Sequence, residues 1–280
     1  MQAVPEISAA QLFHRYDAFL LDAYGVLVTA TGAMPGAAQF VDTLNESRKP
    51  YFVLTNDASK LPRTGAARYR GFGLALGEEH IITSGMLLGS YFARHELVGA
   101  RCAVIGPYDS ARYVELAGGQ VVPPGSDFEV LVVADQSGFD FLEVVDAALS
   151  NLIRRLDRGD TVHLVLPNPD LIFPRGREHF GIAAGSVAML FEAAIELRYP
   201  DRPHLRFERL GKPHAPIYQE GLRRSGTRNA VMIGDTLDTD IRGANACGID
   251  SVLLHTGVTR AQVATADGVR PTWLMRSLLA

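Results

Sequence analysis

Four short apolar runs end abruptly in polar residues, and this pattern constrains the fold more than any other feature of the chain. Phe19-Leu20-Leu21 runs into Asp22, and Tyr51-Phe52-Val53-Leu54 into Thr55-Asn56. Ala230-Val231-Met232-Ile233 runs into Gly234-Asp235, and Ser251-Val252-Leu253-Leu254 into His255-Thr256-Gly257. A strand with one wet face would alternate apolar and polar side chains. Continuous runs of this length instead predict strands covered on both faces, as in a parallel sheet. Helical spacing over residues Ala37–Ser47 and 216–225 lies between them. Strand alternating with helix reads as α/β, doubly wound. Ligands of open α/β sheets bind outside the carboxyl ends of the strands. The polar residues that end these runs are therefore expected to share one crevice.

A second set of runs occupies the middle of the chain. Residues 102–105, 130–134 and 163–166 read as strands, and 86–95, 139–156 and 186–198 as helices. This block is expected to form its own α/β layer, with seams near Ser84-Gly85 and in the polar stretch from Tyr199 to Pro203. The expected division is a core of residues 1–83 and 204–280 with an insert of residues 84–203. With 280 residues, 47% of them apolar, the chain has material for both. A net charge of −4 leaves no basic footprint for nucleic acid. Only two cysteines occur, Cys102 and Cys247, which excludes a disulfide framework or a Cys-rich zinc module. No secretory leader and no run long enough to span a membrane is read from the sequence. The expectation is a cytoplasmic protein that handles small molecules.

Four segments carry candidate chemistry: Asp22-Ala23-Tyr24-Gly25-Val26-Leu27, Thr55-Asn56, Gly211-Lys212-Pro213, and the acidic run from Gly234 through Asp235, Asp238 and Asp240. Each alone is ordinary. An Asp after a strand serves as a turn former or helix cap, and Gly-Lys-Pro as a surface lysine before a helix. An acidic run suits any helix N-terminus. In this order and at strand ends, they together resemble the four signature motifs of the haloacid dehalogenase superfamily. The resemblance covers nearly the whole chain. The insert resembles the large α/β cap of subclass IIA, with local matches at Ile82-Thr83-Ser84, Leu166-Pro167-Asn168-Pro169-Asp170 and Gly185-Ser186. That subclass includes nitrophenyl, sugar, nucleotide, pyridoxal and glycolate phosphatases.

The resemblance implies a Rossmann-like parallel-sheet core with an inserted α/β cap, acting on small phosphorylated metabolites. Asp22 would be the nucleophile, forming an aspartyl-phosphate that splits hydrolysis into two easier steps. Mg²⁺ would be held by Asp22, Asp235 and the backbone carbonyl of Tyr24, since hard oxygen ligands suit that ion. Thr55 and the adjoining Asn56 amide would bind phosphate oxygens. Lys212 would balance charge on Asp22 and the phosphoryl group, and Asp240 would orient its neighbours or reach the ion through water. Asp238 reads as a solvated turn residue. Caps of this subclass often mediate dimers, so a homodimer is the partner arrangement implied.

Position 24 departs from the family. Its phosphatases carry a second aspartate there, which protonates the leaving group and then activates water. Tyr24 keeps a backbone carbonyl for the metal but removes that acid and base, a contribution of roughly 10²–10⁴ in rate. A phenol of pKa ~10 is a poor base at neutral pH. Three readings follow: a phosphatase for leaving groups that need no proton, a dehalogenase, or a weakly active or inactive phosphate-binding module. Asp-x-Tyr-Gly also resembles the nucleophile motif of 2-haloacid dehalogenases. Against the dehalogenase, Asp235 and Asp240 would repel a haloacid carboxylate, and the cap resembles the wrong subclass. Asp57 and His214 are further acids near the motifs, read by default as a loop residue and a helix start. Asn168, Asp170 and Arg175 are candidate cap residues near the substrate. Gly71-Phe72-Gly73 has the wrong spacing for a dinucleotide loop.

Overall fold

A computed structural model describes residues 3–175, 179–255 and 267–279. Of the polar residues expected after the fourth apolar run, Thr256 and Gly257 lie outside the described residues.

In chain order, the elements begin with α1 (Ala9–Arg15), β1 (Ala18–Asp22), α2 (Ala37–Ser47), β2 (Tyr51–Thr55), α3 (Pro62–Gly71) and β3 (Ile81–Thr83). The insert then supplies α4 (Leu88–Arg94), β4 (Arg101–Ile105), α5 (Tyr108–Leu116), β5 (Gln120–Val122), β6 (Val130–Val133) and α6 (Phe141–Arg158). It continues with β7 (His163–Leu166), β8 (Ile172–Pro174), β9 (Phe180–Ile182), α7 (Ala184–Arg198) and β10 (Glu208–Arg209). The chain closes with α8 (Ala215–Ser225), β11 (Ala230–Gly234), α9 (Arg242–Ala246), β12 (Asp250–Leu254) and β13 (Trp273–Met275).

The chain divides into two compact units. The first comprises Met1–Thr55, Pro62–Ile82 and Lys212–Ala280. Its sheet has the order β13-β12-β11-β1-β2-β3, and β13 through β2 pair in parallel. The apolar runs explain that order. Every residue of β1 and β11 is buried, as central strands covered on both faces require. On α2, Ala37, Phe40, Val41 and Leu44 recur at helical spacing and pack in one core cluster with Phe19, Leu21 and Val53. Helix α8 starts with a proline in its first turn and stops at Gly226, whose φ of 68° is left-handed.

The second unit comprises Asn56–Leu61 and Thr83–Gly211. Its sheet is all parallel, in the order β10-β7-β6-β4-β5. Helix α6 buries Val145, Ala148, Leu152 and Leu156 against Leu131, Val133, Phe191 and Phe207. Strands β8 and β9 form a separate antiparallel ribbon with Ile172 opposite Ile182. Helix α7 is apolar around much of its girth: Val187, Phe191 and Ile195 are buried, yet Met189, Leu190 and Leu197 are exposed.

The seam expected at residue 204 falls instead at Gly211/Lys212. The reason is β10, too short to show in the sequence, which pairs with β7 in the second sheet. Buried Glu192 on α7 fixes it, accepting the Phe207 N–H at 2.9 Å and pairing with Arg209 at 2.9 Å. The helix expected from residue 86 begins as a tight turn over Ser84–Leu87, capped by the Thr83 hydroxyl, and becomes α-helical at Leu88. No helix among the described residues is long and apolar enough to cross a membrane.

Candidate active site

Strand pairing brings the first and fourth motifs together. Strands β1 and β11 are neighbours, with Leu21 opposite Ile233. Asp22 ends one strand and Asp235 follows the other. The chain then makes a wide turn over Leu237–Ile241, where the N–H groups of Asp240 and Ile241 both donate to the Thr236 carbonyl. Such wide turns accompany functional sites. This one returns Asp240 to Asp235. Carboxylate oxygens of Asp22, Asp235 and Asp240 all lie within 4.8 Å of one another.

Lys212 closes the group. Its ammonium donates to Asp22 Oδ1 and, at 2.8 Å, to Asp240 Oδ1. The other oxygen of Asp240 accepts the N–H groups of Asp235 and Thr236, each at 3.2 Å. Both Asp240 oxygens are thus engaged in holding the acidic loop and the lysine. Thr236 Oγ1 donates to Asp235 Oδ1 at 3.0 Å. Buried Tyr218 of α8 donates from beneath to the carbonyls of Thr239 and Asp240.

The loop after Asp22 is packed against Asp235. Gly25 has φ +83°, and a Cβ there would lie 2.0 Å from Asp235 Oδ2. Gly73 offers a control: its φ is +85°, and a Cβ there would meet nothing within 4 Å. A left-handed alanine costs about 1–2 kcal/mol. Gly73→Ala is therefore expected to lower the thermal midpoint by about 2–8 °C. Gly25→Ala should lower it distinctly further, because Asp235 must also shift. Equal midpoints in calorimetry would show that the carboxylate yields freely.

Three buried carboxylates face one buried ammonium: Asp22, Asp235 and Asp240 are 8%, 2% and 0% exposed, and Lys212 is 4% exposed. Burial pushes the Asp22 carboxyl well above its ordinary range; Lys212 opposes this, while Asp240 and Asp235 add to it. Burial alone would lower the Lys212 ammonium, but the charges of Asp22 and Asp240 outweigh it and hold the group well above its usual value. Among the described residues, one lysine does not neutralise these three acids. A cluster of hard carboxylate oxygens with excess negative charge fits a divalent cation such as Mg²⁺.

The other expected residues divide. Thr55 ends β2, one position beyond Leu54, which is the register partner of Asp22. Asn56 belongs to the second unit, where its Nδ2 donates to Asp170 Oδ1 at 2.9 Å. Tyr24 is 43% exposed, and the Arg68 guanidinium lies 5.3 Å from its ring centroid. Arg68 lies equally close to the Phe72 ring. Asp57 closes its own turn, accepting from the Ser59 N–H at 2.8 Å and pairing with Lys60 at 3.1 Å. Asp238 is solvated and pairs with Arg242 at 2.7 Å. His214 holds the position before α8. Asn168 accepts the Asp170 N–H at 3.0 Å, and Arg175 lies over the Phe173 ring. Tyr218 escaped sequence reasoning, since a buried aromatic on a helix looks like ordinary core.

The haloacid dehalogenase-like hydrolase model matches residues 19–120, and a HAD-hydrolase-like model matches residues 209–280. Together they span more than half of the chain, which belongs to the haloacid dehalogenase superfamily of hydrolases. Its Rossmann-like core, inserted α/β cap and relatives are those of subclass IIA. The chain is 26% identical over 265 residues to 5'-nucleotidase YutF of Bacillus subtilis, covering 94% of this chain and 96% of that one. It is 27% identical over 264 residues to dihydroxyacetone phosphatase of Corynebacterium glutamicum, covering 93% and 88%. Among solved structures, a possible sugar phosphatase from Cytophaga hutchinsonii superposes with a TM-score of 0.84 at 29% identity, over 99% of both chains. The glycerol phosphate phosphatase of Mycobacterium tuberculosis in complex with magnesium gives 0.79 at 25% identity, over 98% of this chain and 77% of that one.

Proposed function

We propose that the chain is a Mg²⁺-dependent phosphatase of small phosphorylated metabolites, working through an aspartyl-phosphate on Asp22 and favouring good leaving groups. The observation that carries this reading is the buried cluster of Asp22, Asp235 and Asp240, with Lys212 bridging Asp22 and Asp240. Asp22, Asp235 and the carbonyl of Tyr24 would hold the cation. When bound, it would offset the charge between an anionic nucleophile and an anionic substrate.

The remaining work falls to the chain. One Asp22 oxygen is held by Lys212, which leaves the other to attack phosphorus. Lys212 opposes the burial that disfavours the charged carboxylate and offers its charge to the phosphoryl oxygens. Thr55 and the Asn56 amide would bind those oxygens. Asp240 acts one step away, by fixing the lysine and the backbone of Asp235. Tyr24 offers no carboxyl group to protonate a leaving alkoxide. Its half-exposed ring is occupied with Arg68. Aryl and acyl phosphates, whose leaving groups depart unprotonated, are the substrates this site suits.

Release of p-nitrophenolate from p-nitrophenyl phosphate should require Mg²⁺ and fall at least about 100-fold in EDTA, the scale of losing one electrostatic stabiliser. Equal rates with and without chelator would reject the metal's role. Two other readings meet the same assay. Chloride release from 2-chloropropionate without metal would favour a dehalogenase. Vanadate binding without turnover would favour a binding module.

A further inference from the structure

We propose that Asp170 is a positioning residue for the phosphate-binding turn, acting through Asn56. The inference rests on the phosphatase reading and extends it to a residue of the insert.

Asn56 directly follows Thr55 in the chain, so whatever holds Asn56 also holds the amide offered to the phosphate. Among the described residues, two that hydrogen-bond Asn56, Asp170 and Ser84, belong to the second unit. Asn56 is buried, its Nδ2 donates to Asp170 Oδ1 at 2.9 Å, and Ser84 Oγ donates to its carbonyl at 2.7 Å. The rest of the turn is pinned in the same way. Ser110 Oγ donates to the Ala58 carbonyl at 2.8 Å, Tyr113 donates to the Lys60 carbonyl at 2.6 Å, and Asp109 accepts the Leu61 N–H at 3.0 Å.

Asp170 is itself immobilised. Its N–H donates to Asn168 Oδ1 at 3.0 Å, and its carbonyl accepts the Gly185 N–H at 2.9 Å as α7 begins. The same turn meets the other crossing of the chain. The Gly211 N–H donates to the Pro167 carbonyl at 3.0 Å. A Cβ on Gly211 would lie 2.5 Å from Asn56 Oδ1 and 2.6 Å from that carbonyl. Asn56 and Gly211 thus abut, and the residues beyond them in the chain are Thr55 and Lys212. The turn Pro167–Asp170 grips both crossings one residue away from groups that handle the phosphoryl charge. Within that grip, the bond from the Asn56 amide to the Asp170 carboxylate is charge-assisted, and such bonds are about twice as strong as neutral ones.

The test measures binding of inorganic phosphate to the full-length protein with Mg²⁺ by calorimetry. Asp170→Ala should raise Kd about tenfold or more, and Asp170→Asn, which keeps a neutral acceptor, about threefold. In an Asn56→Ala background, Asp170→Ala should add little, because its route to the turn is gone. A purely structural role would give additive losses and a matching fall in the thermal midpoint. Unchanged phosphate affinity in both Asp170 variants overturns the proposal, and if the alanine variant does not fold, the asparagine variant alone decides. Wild-type protein that binds no phosphate would overturn the phosphatase reading, and the proposal with it.

Discussion

Asp22→Asn should reduce kcat for p-nitrophenyl phosphate by at least about 10⁴-fold, in line with losing a covalent nucleophile. The amide is nearly isosteric, so the fold should survive, and circular dichroism should match the wild type. What disappears is the atom that bonds to phosphorus. The change also removes one of three buried carboxylates while leaving Lys212 paired to Asp240 at 2.8 Å. Rapid acid quench of the wild type should trap a phosphoaspartate at residue 22, detectable by peptide mass, and the variant should trap none. Residual turnover within tenfold of wild type would place the nucleophile elsewhere.

The second large effect concerns Tyr24→Asp. A carboxyl group at this position could protonate a leaving alkoxide and then activate water, a contribution of about 10²–10⁴. Alkyl phosphates should gain kcat/KM on that scale, whereas aryl phosphates should gain less than about tenfold. The phenol is 43% exposed and stacked by Arg68, so its removal opens no cavity in the core and should leave the thermal midpoint within a few degrees. Equal gains for both substrate types would mean that the carboxyl acts on a step common to both, and no gain for either that another group already supplies the proton. Asp57 is poorly placed to do so, because Ser59 and Lys60 occupy its oxygens.

The sequence disclosed the parts whose physics is local. Runs such as Phe19–Leu21 and Val231–Ile233 show no alternation, and both lie in strands buried throughout. Helix α2 spans the residues its spacing indicates, since one apolar stripe and a turn at Arg48 define it. Parts whose stability comes from distant partners were hidden. Strand β10 has two residues and depends on β7 and on Glu192. The ribbon of β8 and β9 shows exposed Ile172, Phe180 and Ile182, which no core pattern announces. Short α1 and α5 and the edge strands β5 and β13 passed unread for the same reason.

The candidate site followed the same rule. Asp22, Lys212, Asp235 and Asp240 were legible because a cluster of acids and a lysine needs specific residue types at strand ends. Tyr218 was not, because its hydroxyl acts on backbone carbonyls of a loop about twenty residues away, and its ring counts as core. The bond between Asn56 and Asp170 spans 114 positions, and neither residue type is unusual in a turn.

The loop from Asp22 to Val28 has one further consequence. Ala23, Val26, Leu27 and Val28 are buried, and Gly25 leaves no room beside Asp235. Residue 24 alone in that stretch has an exposed side chain. A lineage could therefore exchange its reaction chemistry at this codon without rebuilding the scaffold, whereas drift at any adjoining codon would first damage the protein that carries it.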